Sequence, residues 1–157
     1  MPLRVLFVCL GNICRSPAAE AVFQHQVSSA GLAEAFEIES AGTGSWHIGE
    51  LPDRRMRRAA ERRGVAMTSR ARQVSAEDFG RFDHIFAMDR ANLRALVDQA
   101  PPQHHAKIRL FRDLDPDGPG EDVPDPYYGG PEGFNEVLDI VERTSARLLE
   151  SLRPPSS

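Results

Sequence analysis

The sequence predicts an α/β fold: a single domain in which helices cover both faces of a four-stranded parallel sheet. Two observations carry this expectation. Four short apolar runs alternate with segments of helical period along the chain, and such alternation joins parallel strands through helical crossovers. The first run, Leu3–Val8, is apolar except for Arg4 and includes Val5, Phe7 and Val8, the composition of a strand covered on both faces.

The elements follow in order. After the first strand comes Cys9-Leu10-Gly11-Asn12-Ile13-Cys14-Arg15, a short tight loop. A helix is expected next, with Ser16 as its cap and Pro17 at its first position. Ala18, Ala21, Val22, Val27 and Ala30 fall near helical spacing, and Gly31 ends the helix. Phe36–Ala41 alternates as a second strand and runs into Gly42-Thr43-Gly44-Ser45-Trp46-His47, a glycine-rich turn holding the only tryptophan.

Pro52–Gly64 reads as a short helix bearing Arg54, Arg55, Arg57, Arg58, Arg62 and Arg63. Met56, Ala59 and Ala60 give it one narrow face to dock, and the arginines read as a solvated surface. Ser75–Asp78 has the pattern of a capped turn. Asp83–Ala87 is expected as the third strand, Asp89–Val97 as a helix, Lys107–Phe111 as the fourth strand and Gly133–Leu152 as a final amphipathic helix. Residues 1–153 then form the domain, and 154–157, Pro-Pro-Ser-Ser, a flexible tail.

Composition narrows the class. With 41% hydrophobic and 27% charged residues the chain reads as a soluble globular protein, and its net charge of −4 argues against nucleic acid or an anionic membrane as a partner. Val5–Leu10 is too short for a membrane span or a signal core, so no targeting segment is expected. Two cysteines five residues apart make no disulfide framework, and a cytoplasmic location follows as the expectation.

Cys9 stands at the carboxyl end of the first strand, where parallel sheets bind their ligands. Arginine is common in this chain, so Cys-x5-Arg alone is a weak signal, and a cysteine at a strand end is by default a small core residue. The surroundings change that reading. Gly11 allows a close backbone approach, and Asn12 tolerates the left-handed conformation that turns successive N–H groups to one side. The helix that follows adds its own N-terminus, so the loop has the makings of an anion cradle with a thiol at its floor. Helix N-termini and cations favour the thiolate, and Ser16 can donate its hydroxyl to the Cys9 sulfur. Arg15 suits the oxygens of a phosphoryl group in a bidentate fork. With that positive field no metal or other cofactor is required.

Asp113–Pro131 is a long stretch without apolar period, a length more often functional than not. Its opening, Asp113-Leu114-Asp115-Pro116-Asp117-Gly118, looks like a calcium loop, but its twelfth position is Pro124 rather than glutamate. Thiolate attack on a phosphomonoester needs an acid for the leaving group and then a base for water. No histidine sits in a motif that supplies one, and Asp125 fits.

Cys9–Pro17 closely resembles the phosphate-binding loop of the low-molecular-weight protein tyrosine phosphatases. The likeness runs from about Arg4 to Glu150 and includes Ser40–Thr43, Trp46–Gly49, Ala71–Val74, Met88-Asp89 with Asn92, and Asp125-Pro126-Tyr127-Tyr128. The resemblance implies a Rossmann-like, phosphotyrosine protein phosphatase I-like fold. It implies Cys9 as nucleophile, Arg15 as phosphate clamp and Asp125 as general acid. Leu10, Gly11, Asn12, Ile13, Cys14 and Ser16 complete the phosphate loop, with Asn12 and Ser16 bracing it. Trp46, Tyr127 and Tyr128 are then the cleft residues, and Cys9–Cys14 a reversible redox pair. The implied substrates are tyrosine-phosphorylated proteins, met by a monomer or weak homodimer. Related functions to be weighed are an arsenate reductase of the same fold, which needs cysteines absent here, a phosphoarginine phosphatase, and a non-catalytic phosphoprotein-binding module. Relatives resembling arginine phosphatases carry threonine where this chain has Ile13, which favours phosphotyrosine. One departure stands out: Ser69 occupies the position where the family usually carries a histidine bracing the loop asparagine.

Overall fold

The computed structural model of the chain describes residues 1–127 and 129–153. Tyr128 and the tail 154–157 lie outside them. Strands β1 (Leu3–Cys9), β2 (Phe36–Gly42), β3 (His84–Ala87) and β4 (Ile108–Leu110) form one sheet in the order β2-β1-β3-β4. Every pairing is parallel. Helices α1 (Arg15–Ser29), α2 (Arg54–Glu61), α3 (Ala76–Arg81), α4 (Arg90–Gln99) and α5 (Pro131–Leu152) complete the chain.

The central strand explains the two cores. Side chains alternate across a strand, so Val5, Phe7 and Cys9 enter the larger core with Val22 and Phe23 of α1 and Phe134 and Val137 of α5. Leu6 and Val8 enter the smaller core on the opposite face with Phe79 of α3 and Leu96 of α4. Phe7 is the hub of the larger core, with ring centroids of Phe23, Phe86 and Phe111 at 5.9, 5.9 and 5.3 Å. The chain leaves β1 toward β2 on one side and later continues to β3 on the other, so the carboxyl end of β1, at Cys9, is the point where strand order switches.

Several expected boundaries move, for local reasons. Ser16 is not the cap of α1. The helix begins at Arg15 with Cys14 in the cap position and no side-chain cap bond, while the Ser16 hydroxyl turns to the Cys9 sulfur. The Arg-rich helix starts at Arg54 because Asp53 caps it, accepting from the Arg55 N–H at 2.8 Å. The segment expected only as a capped turn at Ser75 continues into α3, and the Ser75 N–H donates to Asp78 Oδ2 at 2.7 Å. Asp89 is the cap of α4 rather than its first residue. The last helix starts at Pro131, a residue suited to the first helical position, rather than at Gly133.

The long acidic stretch is also partly ordered by one carboxylate. Asp115 is buried and ion-paired with Arg112 at 2.9 Å and Arg143 of α5 at 2.7 Å. Led by the Arg143 hydrogen bond, these contacts and the Asp117 N–H pull the Asp115 pKa down to about 2. The carboxylate thus ties the loop to α5 through the two guanidinium groups.

Candidate active site

The loop after β1 is shaped by Asn12. It is the only non-glycine residue with positive φ among the described residues, at 58°, a conformation asparagine adopts more readily than most. Its side chain is almost fully buried and every polar atom is used. Asn12 Nδ2 donates to Ser16 Oγ at 2.8 Å and Ser40 Oγ at 2.9 Å, and Oδ1 accepts from the Arg72 N–H at 3.0 Å. One side chain thereby ties the loop to α1, to β2 and to the strand-like segment beside β2.

The loop carbonyls are directed away from its concave side. Cys9 O and Leu10 O accept from the N–H groups of Thr43 and Gly44, Ile13 O from Asp53, and Cys14 O from Ala18. The N–H groups of Gly11, Ile13 and Cys14 have no protein acceptor among the described residues, and such a curl of amides is an anion site. The close passage of β2 behind the loop requires Gly42, since a Cβ there would stand 2.8 Å from Leu10 O and 3.2 Å from Asn12 N.

The Cys9 sulfur lies at the floor, almost fully buried. It accepts from the Asn12 N–H at 3.3 Å and lies 3.0 Å from Ser16 Oγ. Ser16 Oγ accepts from Asn12 Nδ2, and its own proton has two acceptors in reach, the Cys9 sulfur at 3.0 Å and Ala41 O at 3.4 Å. Cys14 is different in kind. Burial, reinforced by Asp53, Cys9 and Asp125, pushes its thiol pKa well above the ordinary range, so it keeps its proton. Both cysteines are free.

Arg15 is buried with its guanidinium aimed across the loop. Nη1 donates to Asp89 Oδ2 at 2.7 Å and to Val123 O at 3.0 Å, and Nη2 stands 3.6 Å from Asp125 Oδ2. Burial opposes its charge, but the Cys9 sulfur, Asp89 and Asp125 outweigh that effect and raise its pKa. Asp89 is held in turn by the Asn92 N–H at 2.7 Å, so the start of α4 sets the orientation of the arginine.

Asp125 stands at the mouth, its side chain 44% exposed, with Oδ1 accepting from the Tyr127 N–H at 3.1 Å. Between these groups lies a cleft of about 410 Å³ lined by the loop, Arg15, Asp125, Trp46, His47 and Tyr127. Trp46 is 70% exposed, so it is a wall of the opening and not a core residue. Gly44 lets the indole fold over its own turn, since a Cβ there would collide with the ring. Tyr128, expected beside Tyr127, lies outside the described residues. Cys9, Arg15, Asp125, Trp46 and Tyr127, drawn from three separate stretches of sequence, meet in one cleft.

The family model for low molecular weight phosphotyrosine protein phosphatase matches residues 4–156. The chain belongs to this family. It is thereby one of the protein-tyrosine phosphatases, hydrolases of phosphate monoesters. It is 49% identical over 156 residues to the low molecular weight protein-tyrosine-phosphatase of Streptomyces coelicolor, covering 98% of this chain and 95% of the other. A crystal structure of a protein tyrosine phosphatase from Entamoeba histolytica superposes with a TM-score of 0.93 at 45% identity, covering 96% of each chain. The drosophila arginine phosphatase structure superposes with a TM-score of 0.89 at 34% identity, covering 98% of this chain and 100% of that one.

Ser69, at the position where the resemblance leads one to expect a histidine bracing the loop asparagine, is not bonded to Asn12. Asn12 Nδ2 donates to Ser40 Oγ, which donates in turn to Glu20 Oε1, so Ser40 and Glu20 brace the asparagine. Ser69 acts on the Glu20 carboxylate, favouring its charged form. Burial raises the Glu20 pKa against the hydrogen bonds from Ser40 and Ser69. Sequence reasoning assigned no role to Asp89, Ser40, Glu20, Arg72 or His47. Asp89 and Ser40 lie in segments already quoted for the resemblance, and His47 follows Trp46 in the glycine-rich turn. Arg72 contributes its backbone N–H, which no side-chain pattern can announce.

Proposed function

We propose that this phosphatase hydrolyses phosphotyrosine in proteins through a cysteinyl-phosphate intermediate. The observation that carries the reading is the convergence of Cys9 Sγ, the buried Arg15 guanidinium and Asp125 on one cleft. In the first step Cys9 Sγ attacks phosphorus in line, the S–P bond forms and the P–O(aryl) bond breaks. Asp125 gives its proton to the departing phenolate oxygen. The nonbridging oxygens are held by the loop N–H groups and by Arg15, which stabilise the charge of the transition state. Asp125, now ionised, takes a proton from water. The water oxygen attacks phosphorus, the S–P bond breaks, and inorganic phosphate leaves.

Substrate choice follows from the walls. Trp46 and Tyr127 flank a planar ring, and the cleft gives an aryl ester reach that phosphoserine lacks. Tyr128 is proposed as a further cleft residue. Ile13 lines the cleft and favours phosphotyrosine over phosphoarginine. The same loop holds both cysteines, so oxidation of Cys9 by peroxide to a sulfenic acid can be followed by condensation with the Cys14 thiol, giving a disulfide and water. No helix among the described residues is long and apolar enough to cross a membrane; with the two free cysteines this supports a cytoplasmic setting, and a monomer or weak homodimer is proposed. The test is p-nitrophenyl phosphate hydrolysis in EDTA. Wild type should turn over, Cys9→Ser should not, and near-normal activity of that variant rejects the mechanism.

A further inference from the structure

A second, smaller cavity of about 240 Å³ lies on the other side of Arg55 from the catalytic cleft. Arg55, Arg58 and Arg62 line it from α2 and its C-terminal cap, and Ala59, Pro131 and Phe134 supply its apolar part. The spacing i, i+3, i+7 places all three guanidinium-bearing positions on one helical face. Among the described residues no carboxylate lines it.

The arginines of this run are not equivalent. Arg63 is taken by Asp139 at 2.9 Å and Glu142 at 3.2 Å, and Arg55 by Asp53 at 3.0 Å. Arg58 and Arg62 form no ion pair or side-chain hydrogen bond among the described residues, in a chain where Asp and Glu outnumber Lys and Arg by 23 to 19. Arg58 and Arg62 are exposed and present two cations without a carboxylate partner over a partly apolar floor.

Arg55 joins the two cavities. Its guanidinium lies 4.7 Å from the centroid of Phe134, in the second cavity, and 5.5 Å from that of Tyr127, a wall of the catalytic cleft. It also donates to Tyr127 O at 3.0 Å. The cavity therefore adjoins the Tyr127 wall, within reach of a peptide whose phosphotyrosine enters between Trp46 and Tyr127.

We propose that the Arg58–Arg62 cavity binds an oxyanion side chain, a carboxylate or a second phosphate, of the same peptide whose phosphotyrosine occupies the Cys9 loop. The proposal rests on the phosphotyrosine reading of that loop. It makes α2 a specificity element that selects acidic sequence around the target tyrosine.

The test compares three phosphotyrosine peptides: one flanked by Asp and Glu, its Asn and Gln counterpart, and one with a phosphoserine in a flanking position. Wild type should show a KM about 3–10-fold lower for the acidic peptide than for the amide one, the size of two partly screened charge pairs, with kcat little changed. A still lower KM for the phosphoserine peptide would assign phosphate as the preferred anion, and equality with the acidic peptide would assign charge alone. In Arg58→Ala/Arg62→Ala the preference should vanish while p-nitrophenyl phosphate turnover stays normal, and in Arg58→Glu/Arg62→Glu it should reverse. Retention of the preference in either variant, or an equal rise of KM for acidic and amide peptides, overturns the proposal. Absence of p-nitrophenyl phosphate turnover in wild type would instead overturn the catalytic reading beneath it.

Discussion

Asn12→Ala probes the device that shapes the phosphate loop. The substitution removes three side-chain hydrogen bonds, at 2.8, 2.9 and 3.0 Å, in a residue only 2% exposed. At about 0.5–1.5 kcal/mol each, these bonds are worth about 1.5–4.5 kcal/mol. Alanine must also hold φ near 58°, which adds about 1–2 kcal/mol of backbone strain. The loop can escape part of this cost by relaxing, but relaxation turns the N–H groups away from a common focus. The loss therefore divides between stability and catalysis. Urea unfolding should report a destabilisation of about 2–4 kcal/mol, and kcat/KM for p-nitrophenyl phosphate should fall about 100-fold or more. Asn12→Gly separates the two contributions, since glycine accepts the positive φ without strain; it should be more stable than Asn12→Ala by about 1 kcal/mol yet similarly poor in vanadate binding. If Asn12→Ala binds vanadate normally, keeps activity within about threefold of wild type and loses under about 1 kcal/mol, the argument that Asn12 shapes the loop fails.

Three further outcomes follow from the same geometry. Asp125→Asn should lower kcat most for substrates with poor leaving groups while leaving vanadate affinity within a few-fold of wild type; loss of vanadate binding would make Asp125 structural. Asp115 has a folded-state pKa of about 2, below its ordinary 3.8, so its ion pairs contribute about 2 kcal/mol of stability above about pH 4. That contribution should disappear as the pH falls from about 4 to 2, and Asp115→Asn should flatten the stability curve in this window. Because Cys14 holds its proton, closure of the peroxide-induced disulfide should accelerate as pH rises, as followed by the loss of free thiols; a rate independent of pH would mean that Cys14 is not the resolving thiol.

Much of the fold was legible because its signals are local. The apolar run of β1, the alternation in β2 and the period of α5 each reflect which face is buried, and all four strands fall where the pattern puts them. Ser16 shows where local reading fails. Serine before proline is a good helix start, but a thiol 3.0 Å away and the Asn12 amide take up its hydroxyl, and the helix begins two residues earlier, at Arg15. The sequence singled out Cys9, Arg15 and Asp125, and the fold brings the three to one cleft. The supports of these residues were not legible. Asp89 orients Arg15 from 74 residues away, and the Glu20–Ser40 pair reaches Asn12 through elements that only the parallel sheet brings together. In the arginine-rich helix the bland reading as a solvated surface holds for Arg54, whereas Arg55 and Arg63 are committed to partners in the fold.

In the proposed mechanism Cys9 carries the phosphoryl group during turnover. Wild-type enzyme mixed with labelled p-nitrophenyl phosphate and quenched within milliseconds should yield a phosphorylated peptide whose label lies on Cys9, and Cys9→Ser should yield none. Turnover without a labelled protein, or label on any residue other than Cys9, would contradict the account.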